Sequence, residues 1–162
     1  MNKRNQDGIL NRFPIGKQPD GIDQQYVVFK INQHRYALPL RVITRALRMV
    51  AITPIPDAPL GVKGMINIAG HAAPAINLRL LFGFNDREPE LSDRLLVLEA
   101  EGETVLLMVD EVIGVIEPDQ SQFEPSTKRI AKSKYLVAMI QHPDGMIMVL
   151  DIIRLLAIQD IQ

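Results

Sequence analysis

The sequence contains no cysteine, and none of its apolar runs is long. Without cysteine, a disulfide framework, a thiolate zinc site and a cysteine nucleophile are all excluded. No run approaches the roughly 20 apolar residues that a membrane span requires. The N-terminal segment also lacks the apolar stretch of a signal peptide. We therefore expect a soluble, cytoplasmic protein with no direct membrane insertion.

Neither sign of charge is in large excess, since 18 basic and 19 acidic residues give a net charge of −1. Such a chain has no global field that would hold a phosphate backbone. The densest basic run, residues 128–134, contains four cations but has only Tyr135 as an aromatic neighbour. We interpret this run as a solvated loop and expect no nucleic-acid partner.

Residues that could support catalysis or bind a metal are few and scattered. His34, His71 and His142 fall in predicted turns, without the spacing that places two imidazoles on one metal. Asp110 and Glu111 are adjacent in a predicted strand, so their side chains point to opposite faces and one is expected to cap a loop or form a salt bridge. There is no phosphate-binding glycine loop and no G-x-S-x-G motif. We predict a protein that is not an enzyme and has no metal or cofactor.

The first third of the chain has a polar tail followed by short strand patterns. By composition, residues 1–23 form a flexible tail. Residues 26–31 and 35–40 predict a hairpin, and residues 41–47 have the spacing of a short helix or turn. Three prolines in residues 53–60 predict a stiff, extended surface loop.

The central stretch, Leu60 to Gly83, predicts a hairpin followed by one helical turn. Residues 65–68 and 73–76 read as strands around a turn at Gly70 and His71. Asn77 is placed to cap the helix, which Gly83 can end.

The second half begins after a charged linker, residues 85–93, which is the best internal boundary. It has predicted strands at 94–99, 104–109 and 112–116, a long exposed connection over 119–134, and a last hairpin within 135–150. Asp151 then caps a final short helix. This ending repeats the hairpin, polar cap and paired leucines of the central stretch, so the chain is predicted to be duplicated internally. Many short strands without a long crossover helix favour a mainly β fold of two small barrels.

Several motifs carry a family resemblance. Gly64-x-x-Asn67-x-x-Gly70, Pro74 and Asn77-Leu78-Arg79 occur in this order without a gap. The pattern resembles the CheW-like domain, the adaptor fold of bacterial chemotaxis coupling proteins. Further matching segments are 38–47, 53–59, 109–115 and 149–151, so the resemblance extends from about Tyr26 to Ile158.

The resemblance implies a CheW-like domain over residues 24–160, built from two five-stranded, SH3-like subdomains with an apolar groove between them. Roughly residues 35–90 and 91–150 would form the first and second barrels, with an exchange of terminal segments between them left open. The implied partners are the cytoplasmic tip of a chemoreceptor and the regulatory domain of a CheA-type histidine kinase, at membrane-associated receptor arrays. Its implied partner-binding residues are Ile43, Arg45, Gly64, Asn67, Ala69, Gly70 and Val115.

Three positions depart from the family pattern. Ala69 replaces an arginine, Arg45 replaces a glutamate, and Asn77 replaces the capping aspartate. We interpret the chain as a divergent coupling protein matched to a partner with altered charges, in a chemotaxis pathway or an alternative system controlling pili or surface behaviour. A scaffold that localises another protein outside chemosensing is the alternative, and a small-molecule binder using the groove is the least favoured interpretation.

Overall fold

The computed structural model describes residues 25–125 and 134–160. The predicted tail, 1–23, and most of the basic run, 128–133, therefore lie outside the described residues. The strands are β1 (Tyr26–Ile31), β2 (His34–Pro39), β3 (Ile43–Arg48), β4 (Val62–Ile68), β5 (His71–Asn77), β6 (Arg94–Ala100), β7 (Glu103–Val109), β8 (Glu111–Ile116), β9 (Phe123–Pro125), β10 (Leu136–His142) and β11 (Gly145–Leu150). The α-helices of this part are short, α1 (Leu78–Leu81) and α2 (Ile152–Leu156), and 3-10 turns cover Leu40–Val42, Gln120–Gln122 and Ala157–Asp160. The predicted mainly β fold is confirmed.

The strands form two sheets. One has five strands in the order β3-β6-β7-β5-β4, and the other has six in the order β8-β1-β2-β11-β10-β9. Neighbours are antiparallel except for the parallel pairs β5–β7 and β2–β11. The sixth strand, β9, has only three residues and lies where we predicted an exposed connection; it exists because it pairs with β10.

The predicted internal duplication is confirmed. Residues 26–82 and 94–157 each contain, in this order, a hairpin, a strand at the edge of a sheet, a second hairpin, a polar cap and a short helix. The second half has β9 in addition. The caps are Asn77 and Asp151, whose side chains accept backbone N–H groups of Arg79 at 3.0 Å and Arg154 at 3.2 Å. Each cap satisfies a donor that the helix itself leaves unpaired.

Each half places its first hairpin in the sheet of the other half. The β1–β2 hairpin lies between β8 and β11, while the β6–β7 hairpin lies between β3 and β5. The five-stranded sheet thus uses residues 43–109, and the six-stranded sheet uses 26–39 together with 111–150. This division differs from the predicted ranges, which assigned residues 35–39 to the first barrel and 94–109 to the second.

The exchanged hairpins are buried on both faces, which explains their nearly continuous apolar sequences. Along β6, Leu95 and Val97 pack into the five-stranded sheet's own cluster, whereas Leu96 and Leu98 pack into a larger cluster shared by both sheets. A third cluster, which includes Tyr26, lies within the six-stranded sheet. Because successive strand side chains point to opposite faces, one strand can contribute to two clusters.

The structure corrects the helix or turn that we expected over residues 41–47. The chain forms a 3-10 turn at Leu40–Val42 and then strand β3, which pairs with β6 in the register Ala46↔Leu96. An apolar spacing that fits a helical turn is overridden here by hydrogen bonding to a neighbouring strand. The proline loop is exposed, and Thr53 N donates to the Met65 carbonyl at 2.9 Å. It is not extended throughout, because the chain turns at Pro56-Asp57 and again at Leu60-Gly61.

Candidate partner-binding site

Asn67, Ala69 and Gly70 lie together at the tip of the β4–β5 hairpin. The turn is Ala69-Gly70, one residue earlier than predicted, because Ile68 pairs with His71. Both turn residues have positive φ, +51° at Ala69 and +86° at Gly70, as in the two-residue turns that suit a twisted hairpin. Asn67 Oδ1 accepts from Gly70 N at 3.0 Å and holds the turn closed. All three residues are exposed.

Gly64 is buried in β4 and has a structural explanation. A Cβ atom at this position would lie 2.3 Å from the Thr53 carbonyl oxygen, because the proline loop pairs with Met65 next to it. Contacts this close require a residue with no side chain. Gly64 therefore allows the loop to pass close to β4 and offers little surface to a partner.

A groove of about 660 Å³ opens on the five-stranded sheet beside this turn. Its apolar part includes Met65, Ile68, Pro74 and Val97. Its charged residues are Arg45 on β3 and Glu99 and Glu103 near the β6–β7 turn. The lining residues are Thr44, Arg45, Met65, Ile68, Ala69, His71, Ala72, Ala73, Pro74, Val97, Glu99, Glu103 and Thr104. Such a surface, apolar with a few charges, is suited to protein recognition.

The structure brings some of the predicted site residues together and separates others. Arg45 and Ala69 line this groove, with Asn67 and Gly70 in the adjoining turn. Ile43, at the start of β3, is half-buried and packs against the cluster shared by the two sheets. Val115 lies on β8, an edge of the other sheet, where it is 51% exposed and does not line the groove.

Two of the three departures from the family pattern face the same groove. The family's glutamate and arginine would stand at positions 45 and 69, so the pattern supplies one charge of each sign. Here, Arg45 supplies a cation and Ala69 supplies no charge. The two substitutions together replace a net charge of zero at these two positions by a net positive charge.

A cluster of ion pairs lies away from the groove, where the two sheets meet. Asp110 accepts from Arg79, from Arg87 Nη2 at 3.0 Å and from the backbone N–H of Asn32 at 2.8 Å. Arg87 also binds both oxygens of Asp93, at 2.8 and 2.9 Å. The prediction that one residue of the Asp110–Glu111 pair is a salt-bridge partner is confirmed.

The linker between the halves is therefore fixed by these contacts. Burial raises the pKa of Asp93, but hydrogen bonds from Arg87 and from the Glu90 backbone outweigh it, and the net shift is downward. The carboxylate of Asp93 is consequently held ionised beside Arg87. Both residues lie in or next to the sequence that we interpreted as a boundary.

Asn77 has a second role besides capping α1. Its Nδ2 donates to Asp86 Oδ1 at 2.9 Å, and Asp86 Oδ2 accepts from Lys63 Nζ at 2.8 Å. The hydrogen bond from Lys63, together with the one from Asn77, lowers the pKa of Asp86 despite its partial burial. An amide at position 77 can donate to this carboxylate, whereas the family's aspartate, when ionised, cannot.

A second groove, of about 530 Å³, was not predicted from the sequence. Phe82, Phe84, Tyr36 and Tyr135 line it, and Phe82 stacks on Tyr36 with their ring centroids 4.9 Å apart. Burial raises the pKa of Tyr36 to about 12. The sequence feature that could have indicated this groove is the pair Phe82 and Phe84 on either side of Gly83. From this segment we used only Gly83, as the end of a helix.

The sequence model of the CheW-like domain family matches residues 25–160. The chain belongs to this family. The match covers both halves of the duplicated fold and confirms the resemblance inferred from the motifs.

Chemotaxis proteins named CheW are similar to this chain. The protein from Treponema pallidum is 24% identical over 144 residues, which are 85% of each chain. The protein from Thermotoga maritima is 30% identical over 112 residues, 67% of this chain and 74% of its own. The solved structure of the scaffolding protein TtCheW from Thermoanaerobacter tengcongensis matches with a TM-score of 0.74 and 27% identity, over 80% of this chain and 89% of that one.

The names of these relatives describe chemotaxis proteins and a scaffolding protein. Among residues 25–125 and 134–160, no cluster of three His, Asp or Glu side chains could hold a metal ion. In the same residues, no helix is both long and apolar enough to cross a membrane.

Proposed function

We propose that this CheW-like protein is a non-enzymatic adaptor that couples chemoreceptors to a CheA-type histidine kinase. The receptor contributes its cytoplasmic tip, the kinase its regulatory domain, and the complex forms in the cytoplasm at membrane-associated receptor arrays. The observation that carries this proposal is the open groove beside the Ala69-Gly70 turn, in a chain that belongs to an adaptor family.

The groove supports a binding role because it combines apolar surface with charged groups at its edge. Met65 and Ile68 are half-buried, so a partner that covers them removes further apolar area from water. Arg45 and Glu99 are exposed and can orient the partner through their charges. In this arrangement the receptor lies along the groove and the kinase contacts the ends of the sheets.

An adaptor transmits a signal only if its contacts differ between two states of the complex. The two sheets share one apolar cluster and are joined at Asp110, so a force applied to one sheet is resisted by the other. This rigidity suits a part that relays the position of a receptor to a kinase.

Calorimetry tests the proposal directly. The purified protein is titrated with the regulatory domain of the CheA-type kinase from the same cell, and a receptor-tip fragment is added second. We expect micromolar binding and a ternary complex. Ala72→Trp, which fills the groove from an exposed lining position, should weaken receptor binding at least about tenfold, which corresponds to about 1.4 kcal/mol.

Ala51→Trp is the matched control, since Ala51 is also exposed but does not line the groove. Equal loss of binding in both variants would show that the groove is not the contact. Failure of the wild-type protein to bind either fragment would refute the coupling function, and a scaffold acting outside chemosensing would replace it.

A further inference from the structure

The groove carries an isolated cation at Arg45. This residue is exposed on β3, and it has no ion-pair partner within 4.0 Å among residues 25–125 and 134–160. Val97, which is directly opposite Arg45 in the β3–β6 register, is apolar and also lines the groove. A guanidinium beside apolar surface can bind a carboxylate in bidentate geometry, and exclusion of water strengthens that contact.

The groove also has negatively charged residues on the side of the β6–β7 turn. Glu99 and Glu103 line it near the β6–β7 turn, two or more residues along the strands from the position of Arg45. Exposed Glu99 repels a carboxylate-bearing partner on that side, whereas Arg45 attracts it on the β3 side. The groove therefore has a polarity that fixes the orientation of its occupant.

We infer that the receptor segment in this groove places an apolar side chain on Met65 and Ile68 and a carboxylate against Arg45. This inference rests on the coupling function proposed above and specifies the chemistry of the receptor. The family pattern has the opposite sign at position 45, and its arginine at position 69 is absent. A receptor that binds this chain accordingly has an acidic residue where it contacts position 45, whereas a receptor that binds the family pattern does not.

Charge reversal tests the inference, with calorimetric binding of the receptor-tip fragment from the same cell as the readout. Arg45→Glu should weaken binding by about tenfold or more, since a hydrogen bond between charged groups contributes on the order of a tenfold change in affinity or above. Arg45→Lys should lose less, because it keeps the charge but not the bidentate geometry. Wild-type binding should weaken as salt is raised from about 0.05 to 0.5 M, and Arg45→Glu should show a smaller dependence.

Arg48→Glu is the matched control. Arg48 is exposed on the same strand and undergoes the same change of charge, but it does not line the groove. An equal loss in both variants would attribute the effect to the general field of the protein and overturn the inference.

The receptor side supplies the reciprocal test. Acidic residues of the tip fragment are replaced by lysine one at a time, and one of these variants should bind Arg45→Glu better than it binds the wild-type protein. If no receptor variant shows this exchange, the carboxylate contact is refuted. If Arg45→Glu weakens binding to the kinase domain instead, the occupant is the kinase and the receptor assignment is wrong.

The two proposals fail in different ways. A wild-type protein that binds neither fragment refutes the coupling function and this inference with it. A wild-type protein that forms the ternary complex, with receptor affinity unchanged by Arg45→Glu, leaves the coupling function standing and refutes only the carboxylate contact.

Discussion

Restoring the family's aspartate at position 77 should destabilise this protein, although it improves the match to the family pattern. Asn77 is only 3% exposed, and its Nδ2 lies 2.9 Å from Asp86 Oδ1. Asn77→Asp replaces this donor by a second carboxylate, so an attractive contact becomes a repulsive one. The cap on α1 survives, because the remaining oxygen can still accept from Arg79 N.

Two estimates set an upper limit on the loss in free energy of unfolding that Asn77→Asp causes. Two unit charges about 4 Å apart repel by about 4 kcal/mol at an effective dielectric constant of about 20. Protonating one carboxyl at pH 7, from an ordinary pKa of about 3.9, also costs about 4 kcal/mol. The Asp86 side chain is 36% exposed and is paired with Lys63, so water and the lysine screen the repulsion. We expect a net loss of about 2 to 3 kcal/mol in the free energy of unfolding at pH 7.

The dependence on pH has a definite sign. In the folded variant, repulsion between Asp86 and the new carboxylate at position 77 raises one pKa of this pair above its unfolded value, so the destabilisation is present at neutral pH. It disappears as the pH falls through the raised pKa and the pair takes up a proton. The stability difference between wild type and variant should thus shrink markedly between pH 7 and pH 5.

Urea unfolding at these two pH values measures the effect. The double variant Asn77→Asp/Asp86→Asn restores a donor facing an acceptor and should recover most of the loss caused by the first substitution. A loss below about 0.5 kcal/mol at pH 7, or one of equal size at pH 5, would refute the reasoning.

Two further changes should alter stability in predictable directions. Ala69→Gly should stabilise the protein by roughly 0.5 to 1 kcal/mol in urea unfolding, since Ala69 has φ +51°, whereas Ala72→Gly in the adjacent extended strand should destabilise it by a similar amount. A loss of stability in Ala69→Gly would contradict this. Burial raises the pKa of Asp151, so its ionised form costs folding free energy at neutral pH, and that cost is relieved as the pH falls. Asp151→Asn should be equally or more stable at pH 7 and lose this advantage near pH 4, as measured by thermal unfolding; an advantage that grows toward low pH would show the sign to be wrong.

Local features could be predicted from the sequence because their causes lie within a few residues. Asn77 is two residues from the N–H that it caps, and the turn between β4 and β5, predicted to within one residue, lies between two short apolar strands. The strand pattern after Tyr26 likewise depends on neighbouring side chains. These features identified the hairpins, the caps and the duplicated order of elements.

Pairings between distant segments could not be predicted in this way. The β2–β11 pair joins residues more than a hundred positions apart, such as Tyr36 and Met148, and apolar alternation does not specify a partner. The contact between Asn77 and Asp86 could not be predicted either. Asp86 lies in residues 85–93, whose charges and proline give the composition of an exposed linker. The strand β9 needed β10 beside it to form.

The residues that carry the family resemblance have two distinct physical roles. Arg79 and Asp110, far apart in the sequence, bind each other where the two halves exchange their hairpins. Gly64 admits the proline loop. These positions maintain the fold, and each retains the family's residue.

The two changes that reverse or remove charge, at positions 45 and 69, instead line one open groove. Neither position lies in the ion-pair cluster around Asp110 or in the buried core. The third change, at position 77, is matched within the chain by Asp86. The substitution inside the fold, Asn77, thus has a hydrogen-bond partner within this protein. Arg45, in contrast, has no ion-pair partner among the described residues. The missing partner is therefore expected on the protein that binds the groove, which is why the reciprocal exchange of charge at Arg45 is the decisive experiment.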